Sequence, residues 1–353
     1  MHDETTAKRK DAHLDLCATE EVAPHENATL FEQVRFVHSA MPELAVDEVE
    51  LQTSWFGKTL KAPLLVTGMT GGTERAGQVN RDIAQVAEEF GVAFGVGSQR
   101  AMSERPELTS TFAVRPVAPR TVVIGNIGVV QATKMSLDQV RKLTDAIGAD
   151  ALAVHLNPGQ ELNQPEGDRD FRRGYETISA LVKVYGDRLL VKETGCGISP
   201  AVARRLVDCG VKNIDVSGLG GTSWVRVEQL RSSGVAREVG AQFAGWGIPT
   251  AAAIASVRKA VGPELKLVAS GGMRTGLDIA KALALGADVG GMALPLFRAH
   301  QENGVPGVRA ALQVVVTALK YAFALTGSRT VAELRRQPRV VTGELKDWLG
   351  ALT

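Results

Sequence analysis

Eight short apolar runs, most of them followed by a polar or glycine-rich step and then by an amphipathic stretch, constrain this chain more than any other feature. They cover residues 64–69, 94–98, 122–126, 151–157, 189–193, 211–217, 267–271 and 289–294. Their near-continuous Val, Leu, Ala and Ile content suits strands covered on both faces, as in a parallel sheet. The stretches between them, at 78–90, 137–147, 171–184, 200–209, 250–261 and 277–285, carry helical periodicity. Eight such alternations predict an α/β fold, a (β/α)8 TIM barrel over residues 63–353, with 1–62 as an N-terminal arm and flanking segment of one overall domain. A doubly wound open sheet is the alternative, but it usually has fewer strands and a phosphate loop after the first. Met69-Thr70-Gly71-Gly72-Thr73 is neither a GxGxxG nor a Walker sequence.

Two irregularities stand outside the repeat. An alternating segment at 46–58 predicts a hairpin laid beside the barrel. Roughly fifty residues separate strands six and seven, far more than one crossover helix needs, so the glycine-rich insertion at 219–249 is the lid candidate.

Composition narrows the function class. Forty basic residues against 39 acidic ones leave a formal charge of +1, which gives no footprint for nucleic acid. Three cysteines, Cys17, Cys196 and Cys209, show no metal-ligand spacing and point to a reducing cytoplasm without disulfides. The N-terminal residues lack an apolar h-region, and the most apolar helical stretch, 314–325, is interrupted by Lys320. Neither secretion nor membrane insertion is expected. The charged, weakly periodic residues 1–30, densest at Lys8-Arg9-Lys10-Asp11-Ala12-His13, read by composition as a solvated tail.

Barrel active sites form at the C-terminal strand ends. Here those ends are Met69-Thr70-Gly71-Gly72, Ser98-Gln99-Arg100, Asn126, His155-Leu156-Asn157-Pro158-Gly159-Gln160-Glu161, Lys192-Glu193, Ser217-Gly218, Gly271-Gly272-Met273-Arg274 and Ala293-Leu294. Nearly every one is polar or glycine, which suits a large hydrogen-bonding ligand and not a dry core. The Ser270-Gly271-Gly272-Met273-Arg274 turn before a helix offers backbone N–H groups and a charge to a phosphate; the plainer reading is a turn that needs positive φ.

Individual side chains leave two readings open. Lys192, ending an apolar strand, suits negative charge on a ligand ring, such as a reduced flavin, or an ion pair with a neighbouring carboxylate. Glu161 beside Gln160 suits Mg²⁺, which takes one or two carboxylates and fills its shell with water and phosphate; a lone Glu is more commonly a surface residue. His155 and Asn157, two apart on a strand, face the same way, either into the mouth or into structural hydrogen bonds.

Together these motifs resemble type 2 isopentenyl-diphosphate delta-isomerases over essentially the whole chain. The resemblance rests on Arg9-Lys10 with His13, Met69-Thr70-Gly71-Gly72, Gly97-Ser98-Gln99-Arg100, Asn126-Ile127-Gly128, the strand-four loop, Val191-Lys192-Glu193, Gly220-Gly221-Thr222-Ser223-Trp224 and Ser270-Gly271-Gly272. It implies an enzyme that interconverts isopentenyl and dimethylallyl diphosphate with FMN and Mg²⁺, its flavin reduced by NADPH without net redox change. It implies substrate contacts from Arg9, Lys10, His13, Ser98, Gln99, Arg100, His155, Asn157 and Gln160. FMN contacts would come from Met69, Thr70, Gly71, Ser98, Asn126, Lys192, Ser217, Thr222, Gly271, Gly272, Ala293 and Leu294. Gln160, His155 and Lys192 are the implied catalytic group and Glu161 the implied metal ligand, in a cytoplasmic homo-oligomer, a tetramer or octamer. On this reading the basic segment is an arm that closes over an anionic diphosphate. Two departures are minor: Thr194 replaces an aliphatic residue, and Gly159 a larger one. The alternative is an FMN-dependent 2-hydroxy-acid oxidoreductase on the same barrel, needing a His base and paired Arg residues.

Overall fold

The computed structural model describes residues 2–19, 22–23 and 28–352; Met1 and the side chains of residues 2–8, Lys8 among them, lie outside the described set. Eight parallel strands close into one barrel: β1 (Leu64–Val66), β2 (Ala93–Gly95), β3 (Val123–Gly128), β4 (Ala151–His155), β5 (Leu189–Lys192), β6 (Asn213–Asp215), β7 (Lys266–Ala269) and β8 (Val289–Met292). β8 pairs with β1 through Met292 opposite Val66, which completes the ring. Several strands stop short of their apolar runs, because the last residues of each run leave the ladder and turn into the mouth.

Alternate strand residues face the interior. Leu65, Ala93, Ile124, Ala151, Ala153, Leu190, Val268 and Val289 fill its lower part with apolar side chains. One layer higher the character changes, since His155, Lys192 and Asp215 are successive neighbours across β4, β5 and β6. That polar layer is where the core ends and the site begins.

The hairpin exists, at Thr53–Trp55 and Lys58–Leu60, but plugs the barrel from below. Its two-residue turn has positive φ at Phe56 (47°) and Gly57 (75°), the geometry that matches strand twist. Trp55 and Leu60 bury against the interior cluster, and the Trp55 indole donates to Asn213 Oδ1 at 2.9 Å. An aromatic ring of that size fills the N-terminal mouth, so the hairpin cannot lie at the side.

The expected tail is instead a helix, His2–Ala18, whose Leu14 and Cys17 are buried. The flanking strand Val34–Phe36 pairs antiparallel with Arg339–Val341, which ties the first part of the chain to the last. The insertion closes at its base through a bridge between Leu219 and Pro249 and carries the helices Trp224–Arg231 and Gly234–Phe243. Helix Leu294–Leu325 is the one helix among the described residues long and apolar enough to cross a membrane. Non-helical Asn303 and Gly304 divide it, and Val308, Leu312, Val315 and Leu319 bury one stripe of it. It packs so closely on the helix Gly276–Leu285 that a Cβ on Gly276 would lie 2.2 Å from Val315 O.

Candidate active site

A cavity of about 380 Å³ opens at the C-terminal mouth, lined by all eight strand ends, the N-terminal helix and the insertion. Nearly all the residues singled out from sequence meet there. Arg9, Lys10 and His13 descend from the arm; Met69, Thr70, Ser98, Arg100 and Asn126 come from the first three strand ends. His155, Asn157, Gln160 and Glu161 follow from the fourth, then Lys192, Ser217, Thr222, Gly271, Gly272, Ala293 and Leu294.

Two of the expected contact residues, Gln99 and Gly71, do not line the cavity. Gln99 is fully buried away from the cavity: its Oε1 accepts from Asn126 N at 2.9 Å and its Nε2 donates to Leu143 O at 2.7 Å. It braces β2 against β3, with both ends of its amide already used. Gly71 turns toward the Phe112 ring, where a Cβ would sit 2.0 Å from a ring carbon, so it serves packing under the loop.

The arm brings Arg9 and Lys10 to the cavity near Arg100, which pairs with Glu104 at 3.2 Å. Burial chiefly, then Arg9 and Arg100, push the Lys10 ammonium down to about 8. Arg9 Nη1 reaches Glu166 at 3.2 Å, while its buried Nε has no hydrogen-bond partner. A buried guanidinium with an orphan N–H beside a crowded lysine is stabilised by an anion placed between them.

His13 and Gln160 meet on a carboxylate that the sequence reading missed. Glu228 Oε1 lies 3.0 Å from His13 Nε2 and accepts from Gln160 Nε2 at 3.1 Å, while Oε2 takes Arg231 Nη1 at 2.5 Å. Gln160 Oε1 in turn accepts from Asn157 Nδ2 at 3.2 Å, so the Gln160 amide is held at both ends. Glu228 lies on the insertion helix four residues after Trp224, whose ring meets His13 edge-on with centroids 5.1 Å apart. That i, i+4 spacing on a lid helix was the signal available in the sequence.

His155 is neutral at ordinary pH, since burial, then Lys192 and Lys10, push its pKa down to about 3. Its Nδ1 lies 2.7 Å from Asn126 Oδ1, which makes Nδ1 the donor and leaves Nε2 an acceptor. Lys192 donates to Glu193 O and has no carboxylate within ion-pair distance among the described residues, with Asp215 its nearest acidic neighbour across the ladder.

The strand-seven turn has the positive φ of the plainer reading. Gly271 (φ 99°) and Gly272 (φ 86°) have positive φ, and Cβ atoms on them would meet Gly218 O at 2.1 Å and Gly220 O at 2.6 Å. The next helix is already capped, because Asp278 accepts the amides of Arg274 and Thr275. Arg274 itself donates to the carbonyls of Gly272 and Gly220. The amides leading into that helix are therefore already taken by Asp278, while the Arg274 guanidinium lines the cavity. The amides of Gly272, Met273 and Leu294 remain, with no protein acceptor among the described residues, and they border the cavity as a phosphate group requires.

Glu161 is buried at the cavity wall. Its Oε1 accepts from Asn157 Nδ2 at 3.0 Å and Oε2 from Asp168 N at 2.8 Å, so two lone pairs remain. No group of three or more His, Cys, Asp or Glu gathers among the described residues. One carboxylate beside side-chain amides and an anion pocket fits a hard cation completed by water and phosphate. The departure at Gly159 has a packing cause: a Cβ there would lie 3.2 Å from Cys196 Sγ and 3.3 Å from Val225 Cγ2.

The FMN-dependent dehydrogenase family matches residues 3–157 and 157–341. An isopentenyl-diphosphate delta-isomerase of Metallosphaera sedula is 44% identical over 347 residues, covering 97% of this chain and 94% of that protein. Those of Pyrococcus horikoshii (42%, covering 99% and 96%) and Nostoc sp. (42%, covering 94% and 94%) are similar. Among solved structures, a mandelate oxidase variant with a monooxide FMN adduct superposes with a TM-score of 0.66 at 20% identity, covering 93% of this chain and 95% of that one. At that identity the likeness shows the fold alone.

Proposed function

The chain belongs to the isopentenyl-diphosphate delta-isomerases of the FMN-dependent dehydrogenase family, and we infer from this that it interconverts isopentenyl and dimethylallyl diphosphate by a 1,3-proton shift. The observation that best supports the reading is the orphan Nε of Arg9 beside the buried Lys10 at the cavity, with Arg100 adding a third positive charge. The hydroxy-acid oxidase alternative has support only from fold likeness.

Reduced FMN, when bound, supplies the proton donor and acceptor for the alkene that the strand ends lack. The residues proposed to hold it are Met69, Thr70, Ser98, Asn126, Ser217, Thr222, Gly271, Gly272, Ala293 and Leu294, with Lys192 beside its ring charge. Arg9, Lys10 and Arg100 bind the diphosphate by charge; His13 and Asn157 position it, and neutral His155 contributes hydrogen bonding only. Gln160, held between Asn157 and Glu228, orients the reacting end. Glu161 takes Mg²⁺ together with water and the diphosphate. The arm and the insertion, joined through His13 and Glu228, exclude water from the bound alkene.

We further propose NADPH as the reductant, a cytoplasmic setting and a homo-oligomer. Three free cysteines support the setting, and the exposed Val314, Tyr321 and Leu325 on one helix support self-association. The deciding assay is anaerobic, with isopentenyl diphosphate, Mg²⁺ and NADPH. Isomer formed without net NADPH consumption carries the reading, and keto-acid production from a hydroxy acid would overturn it.

A further inference from the structure

Asp215 is an acidic residue beneath the mouth with no part in the chemistry above. It ends β6, is fully buried, and is the ladder partner of Lys192 on β5, so the two side chains share the inward face. Its Oδ1 accepts from Ser217 N at 3.1 Å, Ser270 N at 3.1 Å and Ser270 Oγ at 2.8 Å; Oδ2 lies 2.9 Å from the same hydroxyl. One carboxylate thus braces the ends of β6 and β7, including Ser217, which holds a positive φ of 39°. Burial raises its pKa, and Lys192 is the foremost influence in the other direction.

We propose that Asp215 is a positioning residue of the flavin site that acts through Lys192, as the counter-charge limiting how much positive charge that lysine presents to the flavin ring. The bracing and the charge are separable. In Asp215→Asn, the remaining oxygen accepts from Ser217 N and Ser270 N while the new amide donates to Ser270 Oγ, so the hydrogen bonds survive and only the charge is lost. With Lys192 uncompensated, a flavin carrying negative charge in its reduced state is held more tightly relative to the oxidised one.

The inference rests on FMN binding, and the measurement separates the two claims. FMN is titrated into wild-type, D215N and Lys192→Met proteins in both redox states, and the midpoint potential of the bound flavin is recorded. At an effective dielectric suited to protein sites, one charge on a neighbouring strand is worth about tenfold in the ratio of the two affinities. D215N is expected to favour reduced FMN by about that factor, a rise of about 30 mV for a two-electron couple. Lys192→Met is expected to move the ratio about tenfold the other way. An unchanged or lowered potential in D215N overturns the proposal, and so does loss of FMN from folded D215N. If D215N does not fold, an unchanged potential in Lys192→Met overturns it instead. A wild-type protein that takes up no FMN sinks the cofactor reading itself.

Discussion

His13 Nε2 lies 3.0 Å from Glu228 Oε1, and this contact fastens the N-terminal helix to the insertion helix across the mouth of the barrel. The same oxygen orients Gln160. Burial works against ionisation of Glu228, yet His13 and Arg231 hold its pKa below the usual carboxylate range.

Glu228→Ala therefore leaves His13, Gln160 and Arg231 without their shared acceptor. Loss of charge-assisted bonds of this kind costs about 1.5–3 kcal/mol, roughly ten- to a hundredfold in kcat/KM. Steady-state kinetics should show KM for the diphosphate rising and kcat falling together, with FMN affinity unchanged. Wild-type kinetics in the variant would remove Glu228 from the site.

Lys10 sets an alkaline limit. Its ammonium, pushed down to about 8 by burial and then by Arg9 and Arg100, is lost as pH rises through that value. A diphosphate favours the charged form, so binding takes up a proton near pH 8, and KM rises by up to about tenfold per pH unit above it. Lys10→Arg keeps its charge throughout and flattens the profile. A wild-type KM constant to pH 9.5 would show that Lys10 does not bind substrate in its charged form.

Trp55 makes the case for the hairpin as part of the barrel core. Trp55→Ala opens the lower mouth and strands Asn213, and is expected to destabilise the protein by about 3–5 kcal/mol. Trp55→Phe keeps most of the volume and costs about 1–3 kcal/mol for the lost donor. Denaturant midpoints at constant slope measure both. Equal, small effects would place the hairpin outside the cooperative unit.

The barrel was legible because a parallel strand covered on both faces cannot tolerate interruption, and eight such runs leave few closed arrangements. The site was legible because strand ends in a barrel converge, so Asn126, His155 and Lys192 meet although far apart in sequence. What escaped depended on direction. Gln99 looks like a ligand residue by its neighbours Ser98 and Arg100, yet β2 ends before it and its amide turns back to Leu143. Glu228 was hidden in an insertion with no strand to anchor its reading. The hairpin's position needed the diameter of the mouth, which no local pattern carries. The glycines at 271 and 272 allow the close approach of the β6 and β7 ends.

Glu161 carries the most exposed claim. It is the one carboxylate on the cavity wall among the described residues, and Mg²⁺ held there would depend on it, water and the diphosphate. Glu161→Gln keeps the volume and one oxygen for Asn157 Nδ2 or Asp168 N, but removes the charge that a hard cation requires. The Mg²⁺ concentration for half-maximal rate should rise at least about tenfold, corresponding to about 1.4 kcal/mol, or turnover should vanish. The FMN residues are separate from Glu161, so flavin absorbance should be unchanged, which distinguishes metal loss from collapse of the site. Partial recovery at high Mg²⁺ would support a ligand role, since the diphosphate still brings its own oxygens to the ion. Full activity at ordinary Mg²⁺ would mean that the carboxylate only braces the loop through Asn157 and Asp168, and the metal would have to be placed elsewhere.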